Sequence, residues 1–157
     1  MCEYCGCQNV PAIAALTAEH DGLRGVAREA ADAARCGDRT AAAGAARRLL
    51  TLLHPHTEIE ERALFPAMAG EFADHVASLQ DDHRRIEATL TLLADPAAEA
   101  EGWAQDLEAA LSELFTHILR EQDGLFPSSL SVLTPADWDN LDEVRAQVTG
   151  RWPASAP

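Results

Sequence analysis

His56 and Glu60 stand four residues apart, and so do His117 and Glu121. Each pair opens the pattern H-x-x-x-E-x-x-x-L-F-P, closed by Leu64-Phe65-Pro66 in one copy and Leu125-Phe126-Pro127 in the other, 61 residues further on. On an α-helix, residues four apart differ by roughly 40° in direction and about 6 Å in rise. Imidazole and carboxylate therefore leave one face, one turn apart, as two ligands for one metal centre. A second histidine repeats as well: His20 lies 36 residues before His56, and His83 lies 34 before His117. The pattern is a duplicated pair of helices, each pair offering His, His and Glu. It predicts a two-metal site inside a four-helix bundle.

The elements that must carry these residues follow from the apolar spacing. A first helix over 11–35 starts at Pro11, a residue suited to the first helical turn. It places His20 on the stripe of Ile13, Leu16, Leu23 and Ala27. Gly37-Asp38 makes a turn, and a second helix over 39–68 has His56 and Glu60 where its Leu49, Leu53 and Leu64 stripe calls for hydrophobes. Pro55 should kink that helix, and Pro66 should bend or close its last turn. A third helix over 71–93 centres His83 on Val76, Leu79, Ile86 and Leu90. Asp95-Pro96 predicts the start of a fourth, over 96–126, carrying Leu107, Leu111, Leu114, His117, Glu121 and Leu125. Thr134-Pro135 introduces a short fifth helix to about residue 148. The expected fold class is all-α: an up-down four-helix bundle with a short extra C-terminal helix. Residues 1–10 form a cysteine-rich tail, 11–130 the bundle, and 131–157 the extra helix and a second tail.

Six ionisable residues on core stripes would each cost several kcal/mol to bury without partners. A metal pair removes that cost. The donor set, four imidazoles and two carboxylates placed to bridge, with no thiolate among them, suits iron and less often manganese or zinc. The order His-x-x-x-Glu also differs from the Glu-x-x-His of ferritin-like proteins.

The formal net charge of -14 argues against binding a nucleic-acid backbone or an anionic membrane surface. No apolar run reaches the ~20 residues of a membrane span. The opening residues have neither the basic nor the apolar region of a signal peptide, so the expected location is the cytoplasm. All 12 basic residues are Arg, which excludes Schiff-base and pyridoxal chemistry on a lysine.

On His20, His56-x-x-x-Glu60, His83, His117-x-x-x-Glu121 and both Leu-Phe-Pro closures, the chain resembles the hemerythrin-like, or HHE cation-binding, proteins over about residues 10–130. The resemblance implies a four-helix bundle around a non-haem di-iron centre. His20 and His56 would bind one iron, His83 and His117 the other. Glu60 and Glu121 would bridge them, together with an oxo or hydroxo group. Oxygen-carrying hemerythrins have a further His four residues before the one equivalent to His83. Here that position is Leu79, which leaves a coordination position open to water, to an exogenous ligand, or to Glu87 four residues after. Glu87 reads equally as a solvated helix-face residue.

His54 and His75 lie off the stripes: His54 is expected at the surface or behind a ligand rather than as one, and His75 at the surface, with Glu58 and Glu61 solvated and paired with Arg62 or Arg120. Cys2, Cys5 and Cys7 pack three thiols into six residues, and Cys36 ends the first helix. A zinc site would need a fourth ligand from Cys36, a His or a second chain; a redox disulfide or free thiols in a tail are the other readings. Tyr4 would reach the centre only if the tail folded back. The leading expectation is a di-iron protein that binds or reduces O2, NO or H2O2 at an open iron position. The alternatives are an iron, oxygen or redox sensor acting through the cysteine tail without turnover, and a metal-free helical scaffold.

Overall fold

A computed structural model describes residues 6–97 and 101–151, and Cys2, Tyr4 and Cys5 lie outside the described residues. The described residues are helical throughout apart from turns: α1 (Pro11–Arg35), α2 (Arg39–Ile59), α3 (Phe65–Leu93), α4 (Trp103–Arg120), α5 (Phe126–Val132) and α6 (Pro135–Arg151). Two five-residue π-helical turns, Glu60–Leu64 and Glu121–Leu125, join α2 to α3 and α4 to α5. Four long helical arms result, because Phe72 (φ -129°, ψ 38°) breaks α3 in two near the expected end of the second helix.

Local chemistry accounts for the boundaries. α1 ends at Gly37 (φ 76°), whose N–H donates to the Ala34 carbonyl while Asp38 N–H reaches Ala33. These are the paired bonds of a Schellman closure, and only Gly enters that left-handed region without strain. Asp38 then caps α2, its Oδ1 accepting from Ala41 N–H at 2.9 Å. At the head of α6 Thr134 donates both its N–H (2.8 Å) and its Oγ1–H (2.7 Å) to Asp137 Oδ2, and its Oγ1 accepts from Asp137 N–H at 3.4 Å, which sets the helix start where Thr134-Pro135 predicts.

One expected boundary is corrected. The fourth arm starts at Trp103 rather than 96, after Gly102 in a left-handed turn (φ 87°). Asp95 Oδ1 accepts from Ala97 N–H, two residues on, so it folds its own turn instead of capping a helix. Of the N-terminal cysteines, Cys7 is described, and it is fully buried beside the base of α1. Cys36 caps the far end of that 25-residue helix, roughly 37 Å away at 1.5 Å per residue. One chain therefore cannot join Cys36 to Cys7.

The core divides into two apolar clusters along the arms. One contains Leu23, Ala27, Leu49, Leu53, Ile86, Leu90, Leu107 and Leu114; its Ala30, Ala42, Ala43 and Ala46 let α1 and α2 approach closely. The other contains Ile13, Leu16, Leu64, Phe65, Met68, Leu79 and Phe126, covered by Leu141, Val144 and Val148 of α6. On every arm the residues between the two clusters are the histidines and glutamates of the repeat.

Candidate metal centre

His20, His56, Glu60, His83, His117 and Glu121 are all buried, at 2 % exposure or less. The structure brings all six together as two groups of four. His20 and His56 form one with Glu60 and Glu121, and His83 and His117 form the other with the same two carboxylates. Within each group the ligand atoms lie within 4.8 Å of one another.

Every imidazole turns its Nε2 inward. The separations are 3.0 Å between His20 and His56 and 2.9 Å between His83 and His117. Glu121 lies between the groups, Oε2 at 3.1 Å from His20 and Oε1 at 3.2 Å from His117. Glu60 Oε2 approaches both sides, at 3.4 Å from His56 and 3.5 Å from His83. Yet among the described residues neither carboxylate accepts a properly directed hydrogen bond. Two fully buried carboxylates without directed donors are a costly arrangement for a protein alone. The oxygens and nitrogens converge on shared points, as donors to a cation do, so the residues fit a metal pair.

The helices that aim these groups depart from α geometry where the glutamates sit. Pro66 has no N–H to give to the carbonyl four residues back, and its ring crowds that carbonyl. The chain widens by one residue instead: Phe65 N–H bonds to the Glu60 carbonyl, and Phe126 N–H to that of Glu121. Such π-turns cluster at functional sites. Here each begins on the carboxylate it turns inward. Pro55, by contrast, sits inside α2 without interrupting it. Each Leu-Phe-Pro closure also supplies a wall for the opposite half. Phe65 stacks on His83 (5.4 Å between centroids) and Phe126 on His20 (5.5 Å).

Outside the six, carboxylates hold the outward nitrogens. His56 Nδ1 bonds Glu19 Oε2 at 2.8 Å, and His83 Nδ1 bonds Glu61 Oε1 at 2.9 Å. Asp82 lies 3.5 Å from His117 Nδ1, beyond a good hydrogen bond, and is gripped by Arg120 and Arg85. His20 Nδ1 has no partner among the described residues. These partners fix tautomer and ring orientation and raise ligand basicity. Glu61 is therefore no merely solvated residue, and Arg120 pairs with Asp82 rather than with Glu58 or Glu61. Arg62 does pair with Glu58, at 2.9 Å.

The protonation tendencies follow from the same contacts. Burial lowers the His20 pKa, and Glu121 only partly offsets it. Burial also opposes charge on His83, but Glu60 and Glu61 outweigh it and push the pKa up to about 10. His56 is raised too, burial being overcome by Glu60 and Glu19. Burial would raise Glu121 and Glu19. His117 and His20 hold Glu121 well below the usual carboxylate range, and His56 with Arg145 lowers Glu19.

The remaining expected residues fall elsewhere. Glu87 is outside both groups, where it accepts from Thr57 Oγ1 at 2.9 Å with His54 Nε2 at 3.9 Å. His75 is half-buried against Gly124. Leu79 is fully buried and brings no nitrogen to the centre. A cavity of about 290 Å³ opens on the outer side of His83, bordered by His54, Thr57, Glu61 and Glu87.

An all-helical chain with a buried layer of imidazoles and carboxylates is a cation-binding protein in class. The family model of the hemerythrin HHE cation-binding domain matches residues 12–128, and the chain belongs to that family. Comparison with curated proteins and with solved structures gives no significant match. No described helix is long and apolar enough to cross a membrane.

Sequence reasoning passes over Glu19, Asp82 and Arg145. A signal exists for the first two: in each half an acid directly precedes the first histidine, Glu19-His20 and Asp82-His83. Each acid faces not its neighbour but the other histidine of its own half, Glu19 bonding His56 Nδ1 at 2.8 Å and Asp82 standing 3.5 Å from His117 Nδ1.

Proposed function

We propose that the chain is a non-haem di-iron protein, folded as an up-down four-helix bundle, that binds or reduces O2, NO or H2O2 at an open iron position. His20 and His56 would hold one iron, His83 and His117 the other, and Glu60 and Glu121 would be shared between them. The observation that carries this reading is the sharing of two buried carboxylates between two imidazole pairs. The nitrogen separations support it further. Metal–imidazole bonds of about 2.1 Å put neighbouring ligands of a six-coordinate ion about 3.0 Å apart, whereas a tetrahedral ion spreads them to about 3.4 Å. The observed 3.0 and 2.9 Å suit the former.

Iron bound there supplies a coordination position and reducing electrons for a small molecule. The chain's own residues do the rest. Glu19 and Glu61 keep the Nδ1 protons of His56 and His83 outward, so that Nε2 faces the centre as a donor. Phe65, Phe126 and Leu79 keep bulk water from the layer. The cavity beside His83 offers a small molecule an approach, and on its wall the Thr57 hydroxyl, donating to Glu87, carries an exchangeable proton. Four protein donors at each position, with no nitrogen from Leu79, would leave room for a further ligand on a bound metal.

The test is to mix the anaerobic ferrous protein with O2, NO and H2O2 in turn and record the visible spectrum. A new ferric or adduct absorption with at least one of them supports the proposal, its persistence or decay separating binding from reduction. A spectrum unchanged by all three would overturn it.

A further inference from the structure

α6 lies beyond the residues that match the hemerythrin family, yet it reaches the metal layer. Its Arg145 Nη1 pairs with Glu19 Oε1, and the other oxygen of that carboxylate takes His56 Nδ1 at 2.8 Å. The link runs from an added helix, through one carboxylate, to a ligand. We propose that Arg145 is a positioning residue for the metal centre, holding Glu19 in the orientation that aims His56. The inference rests on the di-metal reading of His56.

Three observations carry it. First, Glu19 is only partly covered, with 33 % of its side chain exposed, and without an anchor it could swing to water. Second, Arg145 is spent on Glu19. Its side chain is 17 % exposed, and its Nε and Nη2 are buried with no hydrogen-bond partner among the described residues. An arginine kept for packing or general stability would satisfy more of its five N–H groups, since leaving them bare is costly. Third, α6 is held firmly enough to serve as a reference. Leu141, Val144 and Val148 are buried in the core, while Gln147 bonds Arg62 at 2.9 Å and Arg151 pairs with Glu58. The second half reaches the equivalent end differently: Asp82 is held by Arg120 and Arg85, both inside the family-matched region. The first half lacks such an arginine on its own helices, and α6 supplies it.

The experiment uses the full chain carrying Arg145→Met, which keeps the apolar stem, alongside Arg145→Lys, Glu19→Ala and the double variant Glu19→Ala with Arg145→Met. In the metal-free protein, histidine-ring NMR should show the His56 Nδ1–H signal displaced by Arg145→Met, with the His83 signal in place and Arg145→Lys closer to wild type. In the metal-loaded protein, chelator competition should show roughly tenfold weaker binding at one position, the low end for groups that orient a ligand. That loss should vanish in the Glu19→Ala background, because both changes break one link. A folded Arg145→Met chain with an unmoved His56 signal, or an undiminished effect without Glu19, would overturn the inference. A wild-type chain that takes up no iron would defeat the di-iron reading instead, while the His56 signal still decides whether Arg145 positions that ring.

Discussion

Residues 19–66 and 82–127 repeat one constellation in one order: an acid before a first histidine, a second histidine, a glutamate four residues on, and Leu-Phe-Pro. The halves then exchange parts. Phe65 of the first stacks on His83 of the second, and Phe126 of the second on His20 of the first. They are not equal, however. Glu61 of the first half takes His83 Nδ1, whereas the matching residue of the second half is Gln122. Gln122 gives its oxygen to Arg24 at 2.8 Å, and His20 Nδ1 has no partner among the described residues. The two halves thus bring together two similar groups of imidazoles with different support. In the first group Glu19 braces the second histidine, His56, and in the other Glu61 braces the first, His83, while Nδ1 of His20 and of His117 has no hydrogen-bond partner among the described residues.

The sharpest way to break this comparison is to remove a shared ligand and an unshared one. Glu60→Ala should abolish binding of both metals because its carboxylate belongs to both groups, while His117→Ala should cost one. Metal analysis of the purified variants checks this, and equal losses would contradict the sharing. Next in size is removal of the metals themselves. A ligand at 100 times its Kd stabilises by about 2.7 kcal/mol, which for a chain of this size is a fall in Tm of about 5–10 °C on chelation. Thermal unfolding with and without chelator measures it; an unchanged Tm fits a helical scaffold with no metal.

Smaller effects test the unequal support. Glu61→Gln should weaken metal binding on the His83 side by about 10–100-fold, and Gln122→Ala, at the matching position, should change affinity little. Chelator competition compares them, and equal losses would mean that Gln122 supports His20 after all. The smallest change expected is Phe126→Leu, which removes the ring stacked on His20 and should cost about 0.5–1.5 kcal/mol beyond lost area. Denaturant unfolding reads it, with Phe65→Leu as the counterpart on His83.

Much of this was legible in the sequence because the helices are long and strongly patterned. The stripe through Ile13, Leu16, His20 and Leu23 yields both the span of α1 and the inward face of its histidine. Histidines in place of expected leucines mark the layer that the structure finds between two apolar clusters. What escaped depends on groups that the 3.6-residue period does not register. The π-turns arise from a missing N–H at Pro66 and Pro127, six residues after each glutamate, and a widened turn leaves no trace in the apolar spacing. Glu19, Asp82 and Glu61 look like solvent-facing acids on their own helices, and their partners are 37, 35 and 22 residues away. The start of α4 was misplaced because Asp95-Pro96 has the chemistry of a helix start, yet the chain needs another turn, ending at Gly102, before α4 begins. Arg145 could not be connected to His56 from spacing at all, since 126 residues separate it from the Glu19 that links them.

The central claim is two metal positions that share two carboxylates, and the most direct test is an anaerobic Fe(II) titration of the metal-free chain followed by X-ray absorption on the loaded protein. The account predicts two irons per chain and a metal–metal scattering shell at about 3.5–4 Å, the spacing of ions held in one bridged site. One metal per chain, or two with no metal–metal shell, would contradict it.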